Sequence, residues 1–298
     1  MANVSGYSVR IKGKYLFTVK PSSCFLILFL TLLAIFMALP IIYLTVTAFK
    51  PIDELYLFPP TFFTRRPSLS NFKSLFNSLN VSDVPFLRYV FNSLFVTVLN
   101  VIAAVIVCSL GAFGMVKQRP VGSELIFSVI LAALMFPAAV TQIPNYLIVK
   151  SMGMLESYAS LVVPKIAVAF NFFLMKQFME QLPDAYLEAA RVDGAGELKI
   201  YWKIIMPMMT PAWATLIVFS FITNWNDYLS PLLYITNSPE LKTLPLAVQM
   251  IAGGTGAAAI TTAGAVAAAT FCMTVPVIAI YLLMQRNVLN TMAYSGIK

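Results

Sequence analysis

From Ser22 to Phe49 the chain carries no charged residue, and the pattern returns from Tyr89 to Val116, Leu125 to Val149, Ser157 to Met175 and Ile204 to Asn226. Only Lys165 interrupts the fourth of these runs. About 20 apolar residues in a helix cross the roughly 30 Å of bilayer hydrocarbon, so each run predicts a membrane-spanning helix. A last uncharged stretch, Thr243 to Gln285, is too long for one span. Gly253, Gly254 and Gly256 cut its first part, leaving a helix from about Ala257 to Met284 preceded by a loop or short interfacial segment. The result is an all-α polytopic membrane protein of six spans, one domain over 1–298. Its connections are an N-terminal tail over 1–21, an outer loop over 50–88, an organised segment over 176–210 and a C-terminal tail over 285–298. Pro40, Pro137, Pro144 and Pro276 sit within or near spans, where each removes a backbone donor and can kink the helix. They serve either a moving transporter or packing alone.

Composition narrows the class. Of 298 residues, 59% are hydrophobic and 11% charged, against about 25% charged in soluble domains. With a mean hydropathy of +0.83, this excludes disorder, a coiled coil and a secreted disulfide scaffold. Cys24, Cys108 and Cys272 each lie inside an apolar run and read as small core residues. There is no histidine, so zinc sites built on His, Ser-His-Asp triads and imidazole relays lose a required part, and a membrane enzyme is disfavoured. The net charge of +8 lacks the dense basic tract that nucleic acid would need.

The charge reads instead as orientation. With six spans both termini share a side, and 12 of the 20 Lys and Arg fall on it, among them Arg10, Lys117, Arg191, Lys203 and Arg286. By the positive-inside rule that side is cytoplasmic. The first apolar run is longer than a signal-peptide core and lacks small-x-small cleavage chemistry, so a retained anchor is favoured.

Between the fourth and fifth spans the connection is patterned rather than slack. Pro183 and Asp184 suit a helix start, Tyr186, Leu187, Ala190 and Arg191 follow at near-helical spacing, and Gly194 and Gly196 stop the helix. A second amphipathic stretch with Leu198, Ile200, Tyr201, Ile204 and Ile205 runs on to Pro207. The two predict a helix-turn-helix at the membrane surface. Ala189 and Ala190 are small enough to admit a close neighbour.

Glu188-Ala189-Ala190, Asp193-Gly194-Ala195, Ile204 and Pro207 resemble the EAA signature of membrane permeases of binding-protein-dependent ATP-binding-cassette importers. Met206-Pro207 stands where that pattern commonly has Leu-Pro. The wider pattern is similar to the smaller, six-span permease of maltose-type importers, with support from Trp225-Asn226-Asp227-Tyr228 and a tail ending Ser295-Gly296-Ile297-Lys298. The resemblance implies a coupling helix that docks on a cytoplasmic ATPase. Glu188 would supply charge at the dock, Ala189 and Ala190 close approach and Gly194 the turn, while Asp193 caps or pairs locally. It also implies a homologous second permease, two ATPase subunits, an extracytoplasmic solute-binding protein and a carbohydrate substrate, an oligosaccharide above all, with lipid around the chain in a bacterial or archaeal inner membrane. No cofactor is expected on this chain, which has no Walker A motif; ATP and Mg belong to the partner subunits. The alternative to docking is a surface hairpin with solvated charges, five acids and four bases between Lys176 and Lys203. Ser295 and Gly296 either touch the ATPase, as the family's tails do, or fray.

Polar residues inside spans are costly and face the bundle or a cavity. Asn92, Asn100 and Asn171 read as interhelical hydrogen-bond glue. The cluster Asn224, Trp225, Asn226, Asp227 and Tyr228 mixes amides, a carboxylate and rings, which suits a sugar along a translocation pathway and equally suits an interfacial belt or gate. In maltose-type systems the sugar site lies mainly on the larger permease. Gly256, Ile260, Gly264 and Ala268 form a small face expected at a permease interface or between moving bundles. A non-sugar cargo, or less readily a secondary transporter, is the rival reading. The latter would carry carboxylates inside its spans, where only Asp227 comes close.

Overall fold

The computed structural model describes residues 7–11, 14–19, 21–59, 61–79, 84–253 and 257–295. Ahead of the first span, strands β1 (Tyr7–Ile11) and β2 (Lys14–Val19) pair antiparallel, with Tyr7 opposite Val19 and Ile11 opposite Lys14. This is a small departure from an all-α chain and from an unstructured tail. Alternating Tyr7, Val9 and Ile11 with Ser8 and Arg10 is a strand period.

The first span is α1 (Pro21–Ala48). Its apolar side chains point outward all round, with Phe25 74% and Phe36 71% exposed, as suits a helix whose solvent is hydrocarbon. The outer loop holds the short α2 (Ile52–Leu55) and the amphipathic α3 (Ser70–Leu79). Helix α4 (Phe86–Phe113) starts behind Pro85 and continues through a π-helical turn, Gly114–Gln118, making one rod of 33 residues.

The third run is not a single helix. It divides into α5 (Ser123–Leu134) and α6 (Ala138–Ser151), bent by 112° where extended Pro137 interrupts the hydrogen-bond ladder. The fourth is α7 (Tyr158–Val162), a 3-10 turn Val163–Lys165, and α8 (Ala169–Gln181), bent by 41°. Next come α9 (Ala185–Val192), α10 (Glu197–Ile200), a second π turn (Tyr201–Ile205), α11 (Met206–Met208) and α12 (Thr210–Trp225). The chain bends by 78° at Met209, so the apolar run from Ile204 to Asn226 is not one straight helix. Pro211 fits the first turn of α12, and the Trp213 indole N–H donates to the Met206 carbonyl at 3.0 Å across the bend.

The chain ends with α13 (Leu229–Tyr234), α14 (Leu244–Ala252) and α15 (Ala257–Ser295). Helix α15 runs past Met284 into the region predicted as tail. Among the described residues three unbroken helices are long and apolar enough to cross, and counting each bent pair as one crossing gives the six predicted.

Three apolar cores hold the bundle. One, around Cys108, Met175, Met179, Ile205 and Leu216, lies at the end carrying α9 and α10. A second, with Tyr89, Phe221, Trp225, Ala265 and Ala268, joins α3, α4, α12, α14 and α15. The third, with Val96, Val149, Leu161 and Tyr234, lies against the same half of α4 as the second. The small face of the sixth span is spent inside this chain. Gly264 abuts the Asn71 amide, and that amide donates to the carbonyls of Thr47, Ala48 and Lys50 at the end of α1, at 3.4, 3.1 and 2.7 Å. Gly254 and Gly256 lie outside the described residues.

Candidate functional site

The segment after α8 folds as the predicted helical hairpin. Helix α9 ends in a Schellman motif. Gly194 takes φ +76°, its N–H donates to Arg191 O at 3.0 Å, and the Ala195 N–H donates to Ala190 O at 2.9 Å. A residue with a Cβ pays a steric cost in that left-handed conformation, which is the local reason for glycine here. The two arms are then clipped together: Arg191 makes a forked pair with Glu197, Nε to Oε1 at 2.8 Å and Nη2 to Oε2 at 3.3 Å. That guanidinium holds the Glu197 carboxyl below its ordinary value.

One face of the hairpin is rooted in the bundle. Leu187, Ala190, Ile200, Tyr201 and Ile205 are buried in the core with Val116 and Met179, and Ile204 packs against it. Burying a Leu or Ile contributes about 1.5–3 kcal/mol. Ala190 thus serves the root, not close approach by another protein, whereas Ala189 is exposed.

The other face is open. Glu188, Asp193, Gly194 and Pro207 are exposed, and so are Tyr186 (53%), Val192 (88%) and Leu198 (70%). Val192, one turn after Glu188 on α9, shares its side of the helix. The sequence pattern draws in Tyr186 and Leu198 but not Val192. The amphipathic phase of α9, with Leu187 and Ala190 inward, is the signal that could have found it.

At the hairpin's root, Lys117 donates to Asp184 Oδ1 at 2.7 Å and to the Leu182 carbonyl at 2.6 Å, and Arg119 approaches Asp184 Oδ2 at 3.4 Å. The Lys117 hydrogen bond and charge hold the Asp184 carboxyl below its usual range. A cavity of about 650 Å³ opens beside this cluster, lined among others by Glu124, Phe127, Lys176 and Glu180.

The Asn224 to Tyr228 cluster divides in the structure. Trp225 is 2% exposed and stacked on Phe221, with its indole N–H donating to Met273 O at 2.9 Å. It therefore fills the core and faces neither a membrane interface nor a pathway. Asn224 is half-buried, accepts a hydrogen bond from Asn100 Nδ2 at 2.9 Å and donates to Ser220 O at 2.8 Å. Asn226 and Tyr228 are exposed. Asp227 pairs with Lys165 and accepts the N–H groups of Leu229 and Ser230 at 3.1 and 3.2 Å, capping α13. The one cation inside the apolar runs is thus paired with the acid that ends the fifth run. Asn92 and Asn100 act as glue: Asn92 Nδ2 donates to the carbonyls of Glu240 and Lys242, both at 2.8 Å, and Asn100 Nδ2 donates to Leu161 O at 3.1 Å. Position 295 closes α15, while Gly296 lies outside the described residues.

Comparison with known proteins agrees with this architecture. The chain is 30% identical over 233 residues to the polygalacturonan/rhamnogalacturonan transport system permease protein YtcP of Bacillus subtilis (strain 168), covering 76% of this chain and 77% of that one. It is 34% identical over 235 residues to the sn-glycerol-3-phosphate transport system permease protein UgpE of Escherichia coli, covering 78% and 83%. In fold it is similar to a chain in the crystal structure of a bacterial ABC transporter involved in the import of the acidic polysaccharide alginate. The TM-score is 0.75 at 24% identity, over 91% of this chain and 98% of that one. Residues 104–291, which contain the hairpin and the last four apolar runs, match the family of binding-protein-dependent transport system inner membrane components, and the chain belongs to that family.

Proposed function

We propose that this chain is one of two permease subunits of an ATP-binding-cassette importer and that the α9–α10 hairpin is its coupling element. ATP and Mg are bound and hydrolysed on two partner ATPase subunits, and an extracytoplasmic binding protein delivers the cargo. The hairpin, the chain termini and the 12 Lys and Arg of that side face the cytoplasm. The observation that carries this reading is the two-faced hairpin. Five buried side chains fix it to the spans, while Tyr186, Glu188, Ala189, Val192 and Leu198 along its two arms are left unburied. The cargo is a carbohydrate or a related polyol. Relatives at 30 and 34% identity are named for polygalacturonan/rhamnogalacturonan and for sn-glycerol-3-phosphate transport, and the exposed Asn226 and Tyr228 offer the amide and ring that bind hydroxyls and C–H faces.

The test is copurification of the ATPase with a tagged chain. Val192→Asp places a charge on the open face, and Gly194→Leu strains the turn. Both variants should reach the membrane at normal levels and lose the ATPase. Normal copurification with both would sink the docking reading.

A further inference from the structure

The hairpin is continuous in backbone with the fourth and fifth spans, yet both joints are weak for transmitting a push. Leu182, Pro183 and Asp184 separate α8 from α9, with Leu182 extended, and the second arm meets α12 through the 78° bend at Met209. The fourth span is itself broken by 41°. Isolated non-helical residues between rods are where hinges form. The second span differs on both counts: it is unbroken for 33 residues, and it meets the hairpin through side chains.

Those side chains grip the hairpin at two points. Lys117, its side chain 3% exposed, holds the root of the first arm through Leu182 O and Asp184. Such charge-assisted bonds are short and directional. Eight residues earlier, the Ser109 hydroxyl lies 2.6 Å from the Tyr201 hydroxyl in the buried core, and the Phe113 and Tyr201 rings meet with centroids 5.7 Å apart. Tyr201 lies in the second arm, directly after α10. Lys117 and Tyr201 each lie in a π turn, Gly114–Gln118 and Tyr201–Ile205. A π turn inserts one residue into a helix and re-aims the side chains around it, and such turns concentrate at functional sites.

We infer that the second span is the element that receives the displacement of the hairpin, through this two-point grip, with Lys117 and Tyr201 as its positioning residues. The inference rests on the reading that the hairpin docks an ATPase. In a cysteine-free background (Cys24, Cys108 and Cys272 replaced), spin labels at Leu87→Cys and Lys199→Cys report the far end of α4 against the hairpin. Labels at Lys199→Cys and Leu232→Cys report across the bend at Met209. All three labelled positions are exposed and none belongs to the proposed docking face. Distances are measured by pulsed electron paramagnetic resonance on the copurified importer, nucleotide-free and trapped with ATP and vanadate.

The first distance is expected to stay narrow and unchanged on trapping while the second shifts. Lys117→Met or Tyr201→Phe should broaden the first distance, and Lys117→Arg, which keeps both donors, should leave it narrow. The inference is overturned if trapping shifts the first distance as much as the second, or if Lys117→Met and Tyr201→Phe both leave its width unchanged. Failure of the ATPase to copurify with the parent chain would instead remove the docking reading. The nucleotide-free width of the first distance would still decide whether the grip exists.

Discussion

Glu156 shows how one side chain can order a surface that hydropathy leaves blank. It sits in the left-handed region, φ +58°, between α6 and α7. Its Oε1 accepts the N–H groups of Thr236 and Asn237 at 2.8 and 3.0 Å and the Thr236 hydroxyl at 2.7 Å, and its Oε2 accepts the Ser238 N–H at 3.1 Å. Burial works against the charge, yet these donors outweigh it and pull the carboxyl from its ordinary 4.5 to about 2. A depressed pKa stabilises the folded loop wherever the carboxylate is ionised. The contribution is complete above about pH 4.5 and is lost as pH falls through about 2. Hydrogen-exchange protection of Thr236, Asn237 and Ser238 should follow that window. In Glu156→Gln the protection should be lower at neutral pH and flat across the window; an unchanged profile would show that the carboxylate does not order the turn.

At the scale of elements, the packing of α3 on α15 depends on a missing side chain. A Cβ at Gly264 would collide with the Asn71 amide, which cannot swing aside without releasing the three carbonyls it caps at the end of α1. Overpacking of this kind costs about 1–3 kcal/mol, and leaving buried carbonyls unpaired costs a similar amount, roughly 1–3 kcal/mol. Gly264→Ala and Asn71→Ala should each lower the melting temperature in detergent. The double variant should cost clearly less than the sum, because removing the amide makes room for the methyl. Strict additivity would show that the two residues do not share one contact.

This pair also marks what could be read in advance. The spacing of glycine and alanine on the sixth span was legible as a close-packing face, but not its partner. Asn71 lies on a loop helix that no span pattern announces. The hairpin was legible almost residue by residue, because Pro183, Gly194 and the phase of Leu187 and Ala190 are local signals. The bend at Met209 was not, because hydropathy runs unbroken through it.

Across the whole molecule the broken spans are tied by the Lys165–Asp227 pair, which links the 3-10 turn of the fourth span to the break between α12 and α13. Both side chains are about four-fifths covered. Removing one partner leaves an uncompensated charge inside the bundle, at a cost of about 3 kcal/mol. Lys165→Met should therefore lower thermal stability strongly. Lys165→Met combined with Asp227→Asn, which retains the cap on Leu229 and Ser230, should recover most of it. Equal loss in the single and double variants would assign the effect to the cap or to packing instead.

Sequence alone determined the class of this protein, its six apolar runs and its helical hairpin, because span length, turn glycines and helix-start residues act within a few positions of themselves. Which faces meet was decided only by the tertiary structure. Lys165 and Asp227 are 62 residues apart, Lys117 and Asp184 are 67 apart, and Ser109 and Tyr201 are 92 apart. In a soluble helix an apolar stripe would show which side turns inward. In these spans both the lipid-facing and the core-facing positions are apolar, so the phase of each helix is silent in the sequence. Trp225 illustrates this: its chemistry suited a membrane interface, a sugar or a core equally, and only the packing of Phe221 and the Met273 carbonyl around it chose the core.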